Sequence, residues 1–265
     1  MHVRWILVAL VWVCSPGLLM RGEAASPDVT FPLYKIQDVL TKEVTTAEGK
    51  ETGQIENVVL DAATGDLLYI IVRSGTVLGL GGTAYVLPWD ALQGSAESKP
   101  FTLQISAEEV ARAPRFDKDD WPEMLDRHWL DAFQVYYGGL SHLGKRLPPN
   151  TNVPVAQGPR PVLMAASVLQ GQVMNLRGQR LGAIKDLVIE SQAGRVLYVV
   201  LAVRDFPQRE KWFALPWQSL QQSKGLGTFI LQVDAKVLED APGFNQDQWP
   251  TQAQHLGSVS QQGTP

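Results

Sequence analysis

Four groups of residues in this 265-residue chain have types and spacings through which chemistry could be done. Asp117, Asp119 and Asp120 in "FDKDD" could offer oxygens to a hard cation. The glycine-rich "LGLGGTA" (78–84) could wrap a phosphate. His128, His142 and His255 could ligate a transition metal or move a proton. Eight tryptophans, several recurring in matched surroundings, could stack on a ligand. Each group is weaker than it first looks. Calcium needs six to eight oxygens on a defined loop, whereas "FDKDD" and its later counterpart "FNQDQ" (Asn245, Asp247, Gln248) supply two or three. A phosphate cradle needs a helix N-terminus directly behind it, and here the strand-like "YVLPW" follows. No histidine pairs with another at i+3 or i+4, the spacing that sets two ligands on one helix face. No G-x-S-x-G, H-E-x-x-H or Walker pattern occurs. No catalytic residue, metal ligand or cofactor site is therefore assigned.

The tryptophans lead elsewhere. "LPWDAL" (87–92) and "LPWQSL" (215–220) are nearly the same six letters. Sliding the chain on itself places 51–72 over 180–201 with a step of 129: Gly53 falls on Gly182, Ile55 on Ile184, Gly65 on Gly194 and Tyr69 on Tyr198. After one change of loop length the step becomes 128. Pro88 then meets Pro216, Trp89 meets Trp217, and Trp121 meets Trp249. Between 101–122 and 229–250, ten of 22 positions are identical, against roughly one or two by chance at average residue frequencies. The chain is an internal duplication.

Each copy spells the same elements. An apolar run opening on glycine (53–60, 182–189) predicts a strand. "AATGD" and "SQAGR" predict a turn with glycine where positive φ is cheap. "LLYIIV" and "VLYVVLAV" predict the second strand of a hairpin. "YVLPW" or "WFALPW" follows, its proline suited to a strand edge or bulge, then "FTLQI" or "FILQV". The earlier runs "LYKIQDVLTKEV" and "MAASVLQGQVMN" open each copy. Five or six short strands per copy predict a small closed or nearly closed β-barrel. A helical turn ends each one, with Ser106 and Asp234 as N-caps, a capping box between Ser106 and Glu109, and Pro114 and Pro242 as stops. Trp89, Trp217, Trp121 and Trp249 are expected to be core: burying one removes about 150–250 Å² from water.

In this order, and occurring twice, the glycine-led strand, the TG-type turn, the "LLYIIV" strand and "LPW-x-x-L" resemble the PRC-barrel family, found in the photosynthetic reaction-centre H subunit and in a ribosome maturation factor. The trailing "AP-x-F-x-x-D-x-WP" is similar to the tail on some stand-alone bacterial members. The resemblance implies a small barrel that serves as a docking or assembly module and implies no shared catalytic site.

The expected organisation is a signal segment over 1–25, a first barrel domain over 30–122, a helix and linker over 123–161, a second barrel domain over 162–250 and a disordered tail over 251–265. The signal reading rests on Arg4, the apolar run Trp5–Cys14, the Pro-Gly break and small residues at Gly22, Ala24 and Ala25. An uncleaved anchor, which would be the chain's sole membrane contact, and a lipidated Cys14 are the alternatives. Removing 1–24 takes away Arg4, Arg21 and Glu23, so the formal charge moves from −4 to −5. A mildly acidic chain is a poor nonspecific binder of nucleic acid. The lone cysteine, Cys14, lies in the signal, leaving no disulfide or thiol nucleophile beyond it. Residues 119–139 read as an amphipathic helix with Leu125, Trp129, Phe133 and Tyr136 or Tyr137 on one face, expected to pack on a barrel or between the two, with a partner or membrane-surface contact as the alternative.

Together these readings give a mainly β protein of two tandem small barrels. The expected role is non-enzymatic binding of a protein partner or envelope assembly, in the periplasm or cell envelope, with the two barrels packed as a pseudo-dimer in one chain. Loops 73–84 and 203–211, which differ between the copies, are the expected contact surfaces. A small-ligand sensor or enzyme with a site between the barrels is the alternative.

Overall fold

The computed structural model describes residues 33–74, 84–94, 100–113, 115–116, 133, 135–138, 140, 161–203, 210–223 and 227–253. The signal segment, Asp117, Asp119, Asp120, Trp121, the three histidines, most of the linker and tail, and most of loops 73–84 and 203–211 lie outside the described residues.

The two copies fold alike. In the first, strands β1 (Leu33–Lys35), β2 (Glu43–Thr45), β3 (Glu51–Asp61), β4 (Leu67–Ser74), β5 (Ala84–Pro88), β6 (Leu92–Gln93), β7 (Phe101–Leu103) and β8 (Arg115–Phe116) are accompanied by helices α1 (Ile36–Val39) and α2 (Ala107–Arg112). The second contributes β9 (Val162–Met164), helix α3 (Ala165–Leu169), β10 (Gln172–Met174), β11 (Arg180–Glu190), β12 (Arg195–Val203), β13 (Lys211–Leu215), β14 (Leu220–Gln222), β15 (Thr228–Leu231) and helix α4 (Ala235–Asp240). The β-branched runs make the two long hairpins, β3–β4 and β11–β12. Their turns close on Gly65 and Gly194 at φ +78° and +60°, the left-handed region that glycine enters without a Cβ penalty.

Each sheet is an open path of paired strands. The strand orders are β6-β7-β2-β3-β4-β5-β8 and β13-β12-β11-β10-β15-β14. A single 3-10 turn, Trp89–Ala91 or Trp217–Ser219, carries the chain from β5 to β6 and from β13 to β14. Each barrel is thus drawn together at the corner that holds the "LPW" tryptophan. Pro88 and Pro216 enter these corners with extended backbone.

Both copies end in the expected short helix. Ser106 Oγ accepts from the Glu109 N–H and the Glu109 carboxylate accepts from the Ser106 N–H. Asp234 occupies the matching position, but its side chain makes no cap. It turns instead to Arg177, 3.4 Å away. The opening runs are not purely strand: "IQDV" and "AASVL" are the helices α1 and α3, each compressing the chain between two three-residue strands. In each, two apolar side chains meet the core: Ile36 with Val39, and Ala165 with Val168.

Between the copies, residue 133 and residues 135–138 are helical. Phe133 and Tyr137 are buried against the first barrel, with Phe133 stacked edge-on to Tyr69 at 4.4 Å between ring centres. Tyr137 Oη donates to the Val86 carbonyl at 2.9 Å. The aromatic face therefore packs on a barrel; Leu125 and Trp129 lie outside the described residues. The second barrel covers the equivalent face with its own tail. Trp212, Phe244 and Trp249 form a T-shaped cluster at 5.6–5.9 Å, and Tyr198, the counterpart of Tyr69, donates to the Pro250 carbonyl.

Among the described residues, two buried hydroxyls in the first copy, Thr52 Oγ1 and Tyr85 Oη, have no hydrogen-bond partner. Their counterparts are Leu181 and Phe213, both buried. A buried polar atom without a partner costs about 1–3 kcal/mol. Tyr85→Phe, which only brings the first copy into line with the second, should raise stability by about 1–2 kcal/mol in urea denaturation. A loss of stability would mean that the hydroxyl is hydrogen-bonded in solution.

Candidate functional site

Four of the residues singled out by the repeat, Gly65, Trp89, Gly194 and Trp217, meet at the seam between the copies. The opening strand of each copy lies on the long strand of the other. β1 pairs antiparallel with β11, Leu33 opposite Glu190. β9 pairs antiparallel with β3, Val162 opposite Asp61. Adding the repeat step of 129 turns one pairing into the other, so the exchange is reciprocal.

The turn and indole contacts at the seam obey the same rule. The hairpin turns bond across it: the Leu67 N–H donates to the Gly194 carbonyl at 2.7 Å, and the Val196 N–H to the Gly65 carbonyl at 2.9 Å. Trp89 Nε1 donates to the Ser191 carbonyl at 3.1 Å, and Trp217 Nε1 to the Ala62 carbonyl at 3.2 Å. Both indoles are nearly fully buried, at 5% and 4% exposure. Each lies on the other copy's turn glycine. A Cβ on Gly65 would stand 2.8 Å from Trp217 Cγ, and one on Gly194 would stand 3.2 Å from Trp89 Cδ1. The glycine at each hairpin tip thus supplies the positive φ and also the floor on which the opposite indole rests.

A third pair fixes α1 and α3. Asn57 Oδ1 accepts from its own neighbour Val58 at 2.9 Å and from Ala166, at the start of α3, at 3.2 Å. Asp186 Oδ1 accepts from Leu187 at 2.8 Å and from Gln37, at the start of α1, at 3.3 Å. Both sit where the strand register slips, between Ile55 and Asn57 and between Ile184 and Asp186. Such a bulge leaves a backbone N–H unpaired, and a short side-chain oxygen satisfies it. Asp186 is 4% exposed. Burial raises its carboxyl to about 6, while the Leu187 and Gln37 N–H groups pull the other way. Sequence reasoning missed both residues; their only signal was a short polar residue recurring at the same place of the strand in both copies.

The other described signature positions pack mainly within their own copy. Gly182 has the Ala202 carbonyl oxygen 2.3 Å from where a Cβ would sit, so β11 and β12 close there only on glycine. Tyr69 and Tyr198 are buried under the helical insert and the tail. Trp249 is half-buried with Lys35 Nζ 4.2 Å from its ring centre, a contact from the first copy onto the second. Gly53 pairs with Val44 and Ser74. Among the described residues, no cluster of three or more His, Cys, Asp or Glu is arranged to hold a metal ion, and no helix is long and apolar enough to cross a membrane.

The PRC-barrel domain family matches this chain twice, over residues 32–110 and 164–238. The chain belongs to the PRC-barrel family. The two matched segments are the two copies identified by self-alignment, so this is a tandem PRC-barrel protein. No curated protein is significantly similar to it. A PRC-barrel assignment points to a binding or assembly module, and the two barrels share one continuous hydrophobic core that runs from Tyr34 to Leu238 through both copies.

Proposed function

We propose that this tandem PRC-barrel protein is a non-enzymatic scaffold that docks a protein partner outside the cytoplasm, in the periplasm or cell envelope. One observation carries the reading: the copies are locked into a common core by reciprocal exchange, while what decorates them is unlike. The first barrel is covered by a helical insert and the second by its own tail. The first carries the glycine-rich loop 73–84, and the second carries "DFPQRE" in its place. A rigid frame with divergent rims suits recognition, because the frame holds the loops in fixed register and the loops supply the difference. The signal-like pattern of residues 1–25, a basic residue, an apolar run and small residues after a Pro-Gly break, supports the compartment.

A ligand sensor or enzyme working at the seam has less support. Asp186, among the described residues the one buried carboxyl there whose pKa is shifted, already spends Oδ1 on two backbone N–H groups. Cross-linking with mass spectrometry in the native host tests the proposal. A partner protein whose cross-links map to loops 73–84 and 203–211 is the expected result. Recovery of no protein partner, or cross-links confined to the scaffold strands, would contradict it.

A further inference from the structure

The two straps that cross the seam are each held at a strand bulge by one side-chain oxygen, and that side chain differs between them. β9–α3 is held by Asn57, and β1–α1 is held by Asp186 at the matching position. An amide has no charge to lose. A carboxyl can be neutral or charged, and both N–H bonds to Asp186 land on Oδ1, so a proton on Oδ2 disturbs neither bond. The protonated acid then has the shape and charge of the asparagine that serves the other strap. The ionised acid places a charge at 4% exposure, where desolvation opposes it.

We propose that Asp186 makes the β1–α1 strap an acid-tightened latch, one that grips when the carboxyl is neutral and loosens when it ionises, while the β9–α3 strap stays indifferent to pH. The groups around Asp186 do not cancel the effect. Lys35, on β1, favours the charged form; Asp38, on α1, opposes it. Lys35 also lies over Trp249, at 4.2 Å from the ring centre. Lys185, next along β11, points to the Trp212 ring at 6.0 Å. Tyr198, on β12, is neutral, its hydroxyl pushed upward by burial first and then by Asp186.

The sign follows from the docked state holding the proton more firmly than the open one. Docking strength is fully present below the ordinary carboxyl value near 3.8 and is lost as pH rises through about 6. A strap whose opening frees Asp186 to water should lose about tenfold in protection between pH 5 and pH 7.

Hydrogen exchange of the full chain, corrected for the intrinsic pH dependence of exchange, reads both straps at once. The expected result is a roughly tenfold fall in protection over 33–40 between pH 5 and pH 7, with 162–169 unchanged. Asp186→Asn should flatten 33–40 while keeping it protected at both pH values. Asn57→Asp should move the pH dependence to 162–169. A flat wild-type profile, parallel falls in both straps, or a pH dependence that survives Asp186→Asn would each overturn the proposal. The asparagine variant copies a side chain the fold already accepts at Asn57, so it keeps the test decisive if Asn57→Asp does not fold.

Discussion

Trp217→Ala should lower stability by about 3–5 kcal/mol, the range for truncating a fully buried large aromatic, and should do its local damage in the opposite copy. The indole of Trp217 rests on Gly65 and donates to the Ala62 carbonyl, 155 residues away in sequence. Its removal opens a cavity under the first copy's hairpin tip and leaves that carbonyl without its donor. Urea denaturation should show one cooperative transition at a lower midpoint, because the shared core does not let one barrel unfold alone. Hydrogen exchange should show protection lost over 62–67. Trp89→Ala is the mirror experiment, with protection lost over 191–196. Loss confined to the mutated residue's own barrel would mean that the indoles do not cross the seam in solution.

Gly65→Ala should cost about 2–5 kcal/mol, from two causes that can be separated. An alanine at φ +78° pays the left-handed penalty of about 1–2 kcal/mol. Its Cβ also stands 2.8 Å from Trp217 Cγ, and overpacking of that kind costs about 1–3 kcal/mol. Gly49 has nearly the same φ, +77°, with nothing within 4 Å of its Cβ position. Gly49→Ala should therefore show the backbone cost alone, and the difference between the two variants measures the indole's contact with the opposite turn. Equal costs would mean that Trp217 is not seated on Gly65.

Much of this fold was legible in the sequence because its signals are local. Hairpins, positive-φ glycines and the Ser106 capping box are each set within a few residues, and two copies of every signal allowed each to check the other. The helices α1 and α3 were less visible. Four or five residues carry too little periodicity to separate a helical turn from a strand, and packing of Ile36 and Val39 into the core decides the matter. The exchange of β1 and β9 was not legible at all. Three-residue strands fit either barrel by pattern, and a repeat that is symmetric in sequence is silent about which copy completes which. Nor did "LPW" say where its tryptophan would point. The expectation that these indoles are core agrees with their burial, yet the hairpin turn each rests on belongs to the other half. Asp186 and Asn57 escaped notice because a polar residue inside a strand reads as a solvent-facing position unless the bulge that buries it is known.

The crossing of the straps is the claim on which the rest depends, and disulfide trapping addresses it directly. With Cys14 replaced by serine the chain has no cysteine of its own, so introduced pairs report without background. Cα atoms directly opposite in an antiparallel ladder are about 4.5–5.5 Å apart, within reach of a disulfide. Cysteines at Leu33 and Glu190, or at Asp61 and Val162, face one another across the seam and should close an intrachain bond in the monomer under mild oxidation. Pairs at Leu33 with Asp61, or at Val162 with Glu190, test straps that stay on their own barrels, and should remain reduced. Closure of these same-copy pairs, with the cross-copy pairs left open, would contradict the exchanged fold.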